Sequence, residues 1–83
     1  MAKAWFAYLG DHHPDGPYNS DNYSFVKIQP DFLSGTIIGA IYAETEIVNG
    51  RIKPQIPHEL QLEITIAQLA GRPSTNVLLK VYR

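Results

Sequence analysis

Four short stretches rich in aromatic and β-branched residues read as β-strands, some apolar on one face and some on both. Ala4 to Leu9 (AWFAYL) places Trp5, Ala7 and Leu9 on one side and Phe6 and Tyr8 on the other, and Gly10 bounds it. Tyr23 to Ile28 (YSFVKI) sends Tyr23, Phe25 and Lys27 one way and Ser24, Val26 and Ile28 the other, with Pro30 beyond it. Thr36 to Ala43 (TIIGAIYA) is apolar on both faces, and Gly39 inside it implies a bulge or close packing against a large neighbour. Asn76 to Tyr82 (NVLLKVY) is the last strand, with Val77, Leu79 and Val81 facing one way.

The period changes between Ile56 and Arg72. Pro57 suits the first helical position, where its missing N–H is an orphan in any case. Glu59 and Glu63 lie in the half favoured by the positive end of the helix dipole. Gly71 can adopt positive φ and close the last turn, and Pro73 forbids continuation. The interior argues the other way: Leu60, Leu62, Ile64 and Ile66 alternate with Gln61, Glu63 and Thr65, and three of these are β-branched. The end signals and the helix formers Ala67 to Ala70 favour a helix over 57–70, about 14 residues or roughly 21 Å long. At 100° per residue Leu60, Ile64 and Ala67 share one side, while Leu62, Ile66 and Leu69 lie nearly opposite. A helix lying on one sheet needs a single apolar stripe, so the second points to an interface, against the simpler reading of exposed surface side chains.

The connections complete the outline. Gly10 to Asn22 (GDHHPDGPYNSDN) is a turn-rich loop of about 13 residues, longer than most connections in small domains. Asp31 to Gly35 reads as a turn, with Phe32 and Leu33 over the sheet edge. Glu44 to Lys53 carries the hairpin dipeptide Asn49-Gly50, with Ile47 and Val48 opposite Ile52, which would add a further hairpin. The order β-β-β-α-β defines one α+β domain over 1–83, with a mainly antiparallel sheet packed by one helix.

An 83-residue chain buries only about 60–65% of its unfolded surface, and this one has no cysteine to staple it. Oligomerisation is one remaining way to add buried area. Seven basic and eight acidic residues without a run of one sign argue against nucleic acid as a partner. No apolar run approaches the ~20 residues of a membrane-inserted helix. MAKAWFAYL lacks the apolar core of a signal peptide, which points to the cytoplasm if Met1 is the native start.

The chain resembles a family of short, uncharacterised bacterial proteins that are typically exported. The resemblance rests on Ala4-Trp5-Phe6-Ala7-Tyr8, on Gly10 and the loop to Tyr23, and on Ala40-Ile41-Tyr42-Ala43. It continues through Leu60, Glu63-Ile64, Ala67, Gly71, Pro73-Ser74 and Asn76-Val77 to Leu79-Lys80. It implies a helix in the 57–70 stretch, because the positions matching Leu62 and Ile66 are often polar in such proteins. The second apolar stripe is therefore a feature of this chain. The resemblance also implies an extracellular or cell-surface setting. Such proteins often carry a cysteine pair at the start of the third strand, but Gly39 stands at the second position and the first is absent, so no disulfide transfers. No activity and no functional residues transfer either.

Candidate chemistry is sparse. Asp11, His12, His13 and Asp15 offer two imidazoles and two carboxylates for Zn²⁺, Ni²⁺ or Cu²⁺, but adjacent histidines rarely reach one metal, and a solvated turn explains them equally. Asp11, Asp15, Asn19, Asp21 and Asn22 lack the order of a calcium loop, and Asx turns account for them. His58 could act as a base beside Glu59 or Glu63, yet no nucleophile motif accompanies it. Glu44 and Glu46 would need a deep cleft to work as a carboxylate pair. Trp5, Phe6, Tyr8, Tyr18, Tyr23 and Tyr42 could form a surface that stacks on a glycan or peptide, mainly through Tyr18 and Tyr23 at the loop, but such residues are more often core and cross-strand pairs. Nothing forms a catalytic constellation or requires a cofactor. The expectation is a non-catalytic structural or interaction subunit that self-associates into a homo-oligomer or fibre through Leu62, Ile66 and Leu69. The alternative is a small binding module that holds a metal or glycan on the 10–22 loop.

Overall fold

A computed structural model describes residues 3–10, 13–29 and 37–80. It shows five strands and one helix: β1 (Lys3–Tyr8), β2 (Tyr23–Val26), β3 (Ile37–Val48), β4 (Arg51–Pro54), α1 (His58–Ala70) and β5 (Val77–Lys80). The architecture is the expected α+β, with the hairpin present as the pair β3–β4. The turn at Asp31 to Gly35 lies outside the described residues.

β3 is the spine. Its first part pairs antiparallel with β5 and with β1, its last part pairs with β4, and β2 extends the sheet beyond β1. The strand runs on to Val48, five residues past the Ala43 expected from sequence, because Glu44 pairs with Lys3 of β1 and Thr45 to Val48 with β4. At the turn Asn49 and Gly50 both have positive φ, 52° and 78°, as a type I′ turn requires. The register against β5 shifts between Ile38 and Ala40, at the Gly39 position. The shift turns Ile38 and Ile41 onto the same face, so both reach the core.

That face carries Phe6 of β1, Tyr23 of β2, Ile38, Ile41 and Ala43 of β3, and Val77 and Leu79 of β5. Leu60, Ile64 and Ala67 of α1 cover it. The aromatic residues meet as direct cross-strand partners: Phe6 with Phe25 (centroids 5.9 Å apart), Tyr8 with Tyr23 (5.2 Å) and, on the opposite face, Trp5 with Tyr42 (5.0 Å). Cross-strand pairing is the use that the sequence suggests for Trp5, Phe6, Tyr8 and Tyr42; the structure supplies the partners. Ala40 and Leu78 are also buried, on the face opposite the helix.

The helix begins one residue later than expected. Pro57 is its N-cap rather than its first helical residue, with φ −69° and an extended ψ of 169°. Its carbonyl accepts the first helical hydrogen bond, from the Gln61 N–H at 3.0 Å. The C-terminal end is as read from sequence. Gly71 is left-handed at φ 66°, and its N–H returns to the Ala67 carbonyl at 2.9 Å. Among the described residues no helix is long and apolar enough to cross a membrane.

Candidate functional site: the outer face of the helix

Four directions around α1 can be compared residue by residue. The inner side, Leu60, Ile64 and Ala67, is buried in the core, with Ile64 fully so. About 100° on either side of Ile64 sit Glu63 and Thr65, and each makes a polar clasp.

Glu63 ties the helix to the segment leading into β5. Its carboxylate accepts hydrogen bonds from the Ser74 hydroxyl, the Asn76 backbone N–H at 2.8 Å and the Asn76 side-chain amide at 3.2 Å. Asn76 in turn accepts from the Tyr42 N–H at 2.8 Å through its carbonyl, which carries the clasp to the centre of the sheet. Burial alone would raise the Glu63 pKa, but the donors from Ser74 and Asn76 outweigh it and hold the carboxyl below its ordinary value.

Thr65 ties the helix to the long loop. Its hydroxyl lies 2.5 Å from that of Tyr18 and also donates to the Gln61 carbonyl at 3.0 Å.

The fourth side is uncovered. Leu62 is 49% exposed, Ile66 64% and Leu69 84%. Leu62 and Ile66 border a shallow groove of about 330 Å³ between the helix and the turn that follows it, whose walls include Ala70 and Pro73, while Leu69 lies outside it. Glu59 and Arg72 also line this groove. Glu59 belongs to the first turn of the helix. Arg72 is held against the last turn by its own N–H, bonded to the Ala67 carbonyl at 3.3 Å. The site is thus an apolar stripe with a carboxylate at its start and a guanidinium at its end.

The other sequence candidates fall elsewhere. Asp11 and His12 lie outside the described residues. His13 and Asp15 are exposed, and Asp15 takes a left-handed turn conformation at φ 73°. Among the described residues no three His, Cys, Asp or Glu side chains are grouped for a metal. The polar atoms of the loop serve the loop itself. Asn22 is fully buried and acts as its pin, accepting from the His13 N–H at 2.9 Å and donating to the carbonyls of His13 (3.2 Å) and Gly16 (2.8 Å). Asn19 accepts from the Asp21 N–H, and Asp21 pairs with Lys53, whose hydrogen bond lowers the carboxyl's pKa.

Tyr23 corrects the stacking pair. It is only 3% exposed, its ring belongs to the core, and its hydroxyl donates to the Pro17 carbonyl at 2.7 Å, so it has no open face for a sugar. Burial pushes its phenol pKa up strongly. Tyr18 is half-buried and engaged with Thr65. Glu44 and Glu46 line two different clefts, the first with Glu59 and Glu63, the second with Tyr18 and Ile56. They do not face each other across one pocket. His58 is exposed, and the Glu63 carboxylate beside it in sequence is occupied by Ser74 and Asn76.

Sequence reasoning missed both polar pins. Glu63 reads there as a helix residue favoured by the dipole, and Asn22 as an ordinary turn residue. The one available signal was the presence of Glu63, Ser74 and Asn76 among the residues that carry the resemblance, since in the fold these three make one hydrogen-bonded unit. No family model, curated protein or solved structure matches this chain.

Proposed function

We propose that this protein is a non-catalytic interaction subunit that associates with itself through the outer face of α1. The observation that supports this reading is the contrast between Leu62, Ile66 and Leu69, half to five-sixths exposed, and the other three sides of the same helix, each engaged with the rest of the fold. Scattered apolar side chains are normal on a surface, but three on one helical line beside an apolar groove form a contiguous patch of the kind used for protein contacts. The short chain and its thin core give added buried area a direct thermodynamic return. A second exposed apolar pair, Ile47 and Ile52, faces across the β3–β4 hairpin and offers a surface through which such units could extend into a fibre.

The test is light scattering over a wide concentration range, with the double variant Leu62→Glu/Ile66→Glu measured beside the parent. Association of the parent, with a variant that stays folded and monomeric, is the expected result. A parent that remains monomeric at the highest concentrations ends the proposal.

A further inference from the structure

We infer that the partner on this face is a second copy of the same helix, docked antiparallel about a two-fold axis that passes beside Ile66. The inference rests on the self-association proposed above and adds its geometry.

Three features select this arrangement. The stripe is nearly symmetric in sequence about its middle: Leu62 lies four residues before Ile66 and Leu69 three residues after it. An antiparallel copy therefore sets Ile66 against Ile66, and Leu62 of each helix against Leu69 of the other. The charges that line the groove are opposite, Glu59 in the first turn of the helix and Arg72 just past its last. The same two-fold brings Glu59 of one copy beside Arg72 of the other, twice. A parallel pairing would instead set Glu59 against Glu59 and Arg72 against Arg72 and repel at both ends. Third, two antiparallel helices oppose their dipoles favourably, while a parallel pair aligns them.

The contact is isologous, so it closes at two copies. The helical stripes alone are small beside the roughly 800 Å² per partner of a standard interface, so the dimer should form in the micromolar range and dissociate on dilution.

The absence of cysteine allows a clean test in the full chain. Helix axes 8–10 Å apart bring facing Cα atoms within disulfide range. Under mild oxidation Ile66→Cys is expected to cross-link to itself. Leu62→Cys and Leu69→Cys are each expected to cross-link poorly alone and efficiently when mixed. Self-linking of Leu62→Cys and of Leu69→Cys, with no gain on mixing, would mean a parallel pair and overturn the inference. So would an Ile66→Cys protein that associates by light scattering yet never cross-links, and in that case self-association itself would stand. A monomeric parent removes both.

Charge reversal gives an independent readout, and both residues are exposed. Arg72→Glu should weaken the dimer about threefold to tenfold, and adding Glu59→Arg should restore most of that loss. Both reversals oppose the helix dipole, so a merely structural effect would worsen in the double variant, and that outcome would count against the two-fold contact.

Discussion

The two faces of α1 are built from the same kinds of residue and meet opposite environments. Leu60, Ile64 and Ala67 face the sheet; Leu62, Ile66 and Leu69 face outward. Side-chain hydrophobicity alone does not say which set is the core. What decides it is the phase of the helix, and two polar clasps on the flanks lock that phase. Glu63 binds the segment before β5, and Thr65 meets Tyr18 of the long loop. Rolling the helix to bury the other stripe would break both clasps at once. The outer stripe therefore stays outside by construction.

The largest expected effect comes from truncating the two faces in turn. Ile64→Ala should lower the unfolding free energy by about 2–5 kcal/mol, because it removes a fully buried branched side chain and leaves a cavity. Ile66→Ala should change it by no more than about 0.5 kcal/mol at concentrations where the protein is monomeric. Urea unfolding of both variants, at a dilution where light scattering shows monomer, measures the difference. Equal losses would mean that Ile66 is also packed within the single chain, and the contrast between the faces would vanish.

Much of this layout was legible in the sequence. The helix ends, the membership of its two stripes, the Asn49-Gly50 turn and the disturbance at Gly39 all follow from local rules. They depend on neighbours within a few positions, where spacing and backbone preference are strong. The sheet order was not legible. Strands apolar on both faces, such as Thr36 to Ala43, lack the one-sided pattern that fixes register and partner. That β3 runs unbroken into the expected hairpin was hidden for a related reason: Glu44 and Glu46 look like a strand end until Lys3 of β1 and Lys53 of β4 are laid beside them. The clasps were hidden because their partners are distant, with Ser74 and Asn76 lying 11 and 13 residues beyond Glu63 and Tyr18 47 residues before Thr65. The 10–22 loop was legible as a run of Asx turns, of which Asn19 accepting from Asp21 is one, but composition does not show that Asn22 folds the loop around itself.

The Glu63 clasp should produce the next largest effect, and it carries a pH signature. Its folded pKa lies below the ordinary 4.5, so the unfolded chain takes up the proton first as pH falls. The clasp's charge-dependent contribution is therefore complete above about pH 4.5 and is lost as pH drops through the folded value. Glu63→Gln should lower stability by about 1–2 kcal/mol at pH 7, after a discount for the solvent that reaches the carboxylate. It should also flatten the decline of stability as pH falls below about 4.5. Asp21, whose carboxyl is likewise lowered by Lys53, titrates in the same direction, so the comparison is made in an Asp21→Asn background. A Glu63→Gln protein with an unchanged acid slope would show that the charge of the clasp contributes nothing.

The smallest effect belongs to the opposite flank. Tyr18→Phe removes the hydroxyl that meets Thr65 and keeps the ring that packs beside the core. Thr65 retains its bond to the Gln61 carbonyl, so no buried donor is stranded. The loss should fall near the lower end of the usual range, about 0.5 kcal/mol. The two flanks then differ for a physical reason: one clasp is charged and has three donors, while the other is a neutral pair with a fallback partner. Thr65→Val sharpens this, because it deletes both bonds of the hydroxyl and leaves the Tyr18 hydroxyl to find solvent. If Thr65→Val and Tyr18→Phe cost the same, the contact between loop and helix is the whole of the effect. If Thr65→Val is neutral while Tyr18→Phe is not, the loop is held by the tyrosine ring and its hydration, and the helix is clasped on one flank only.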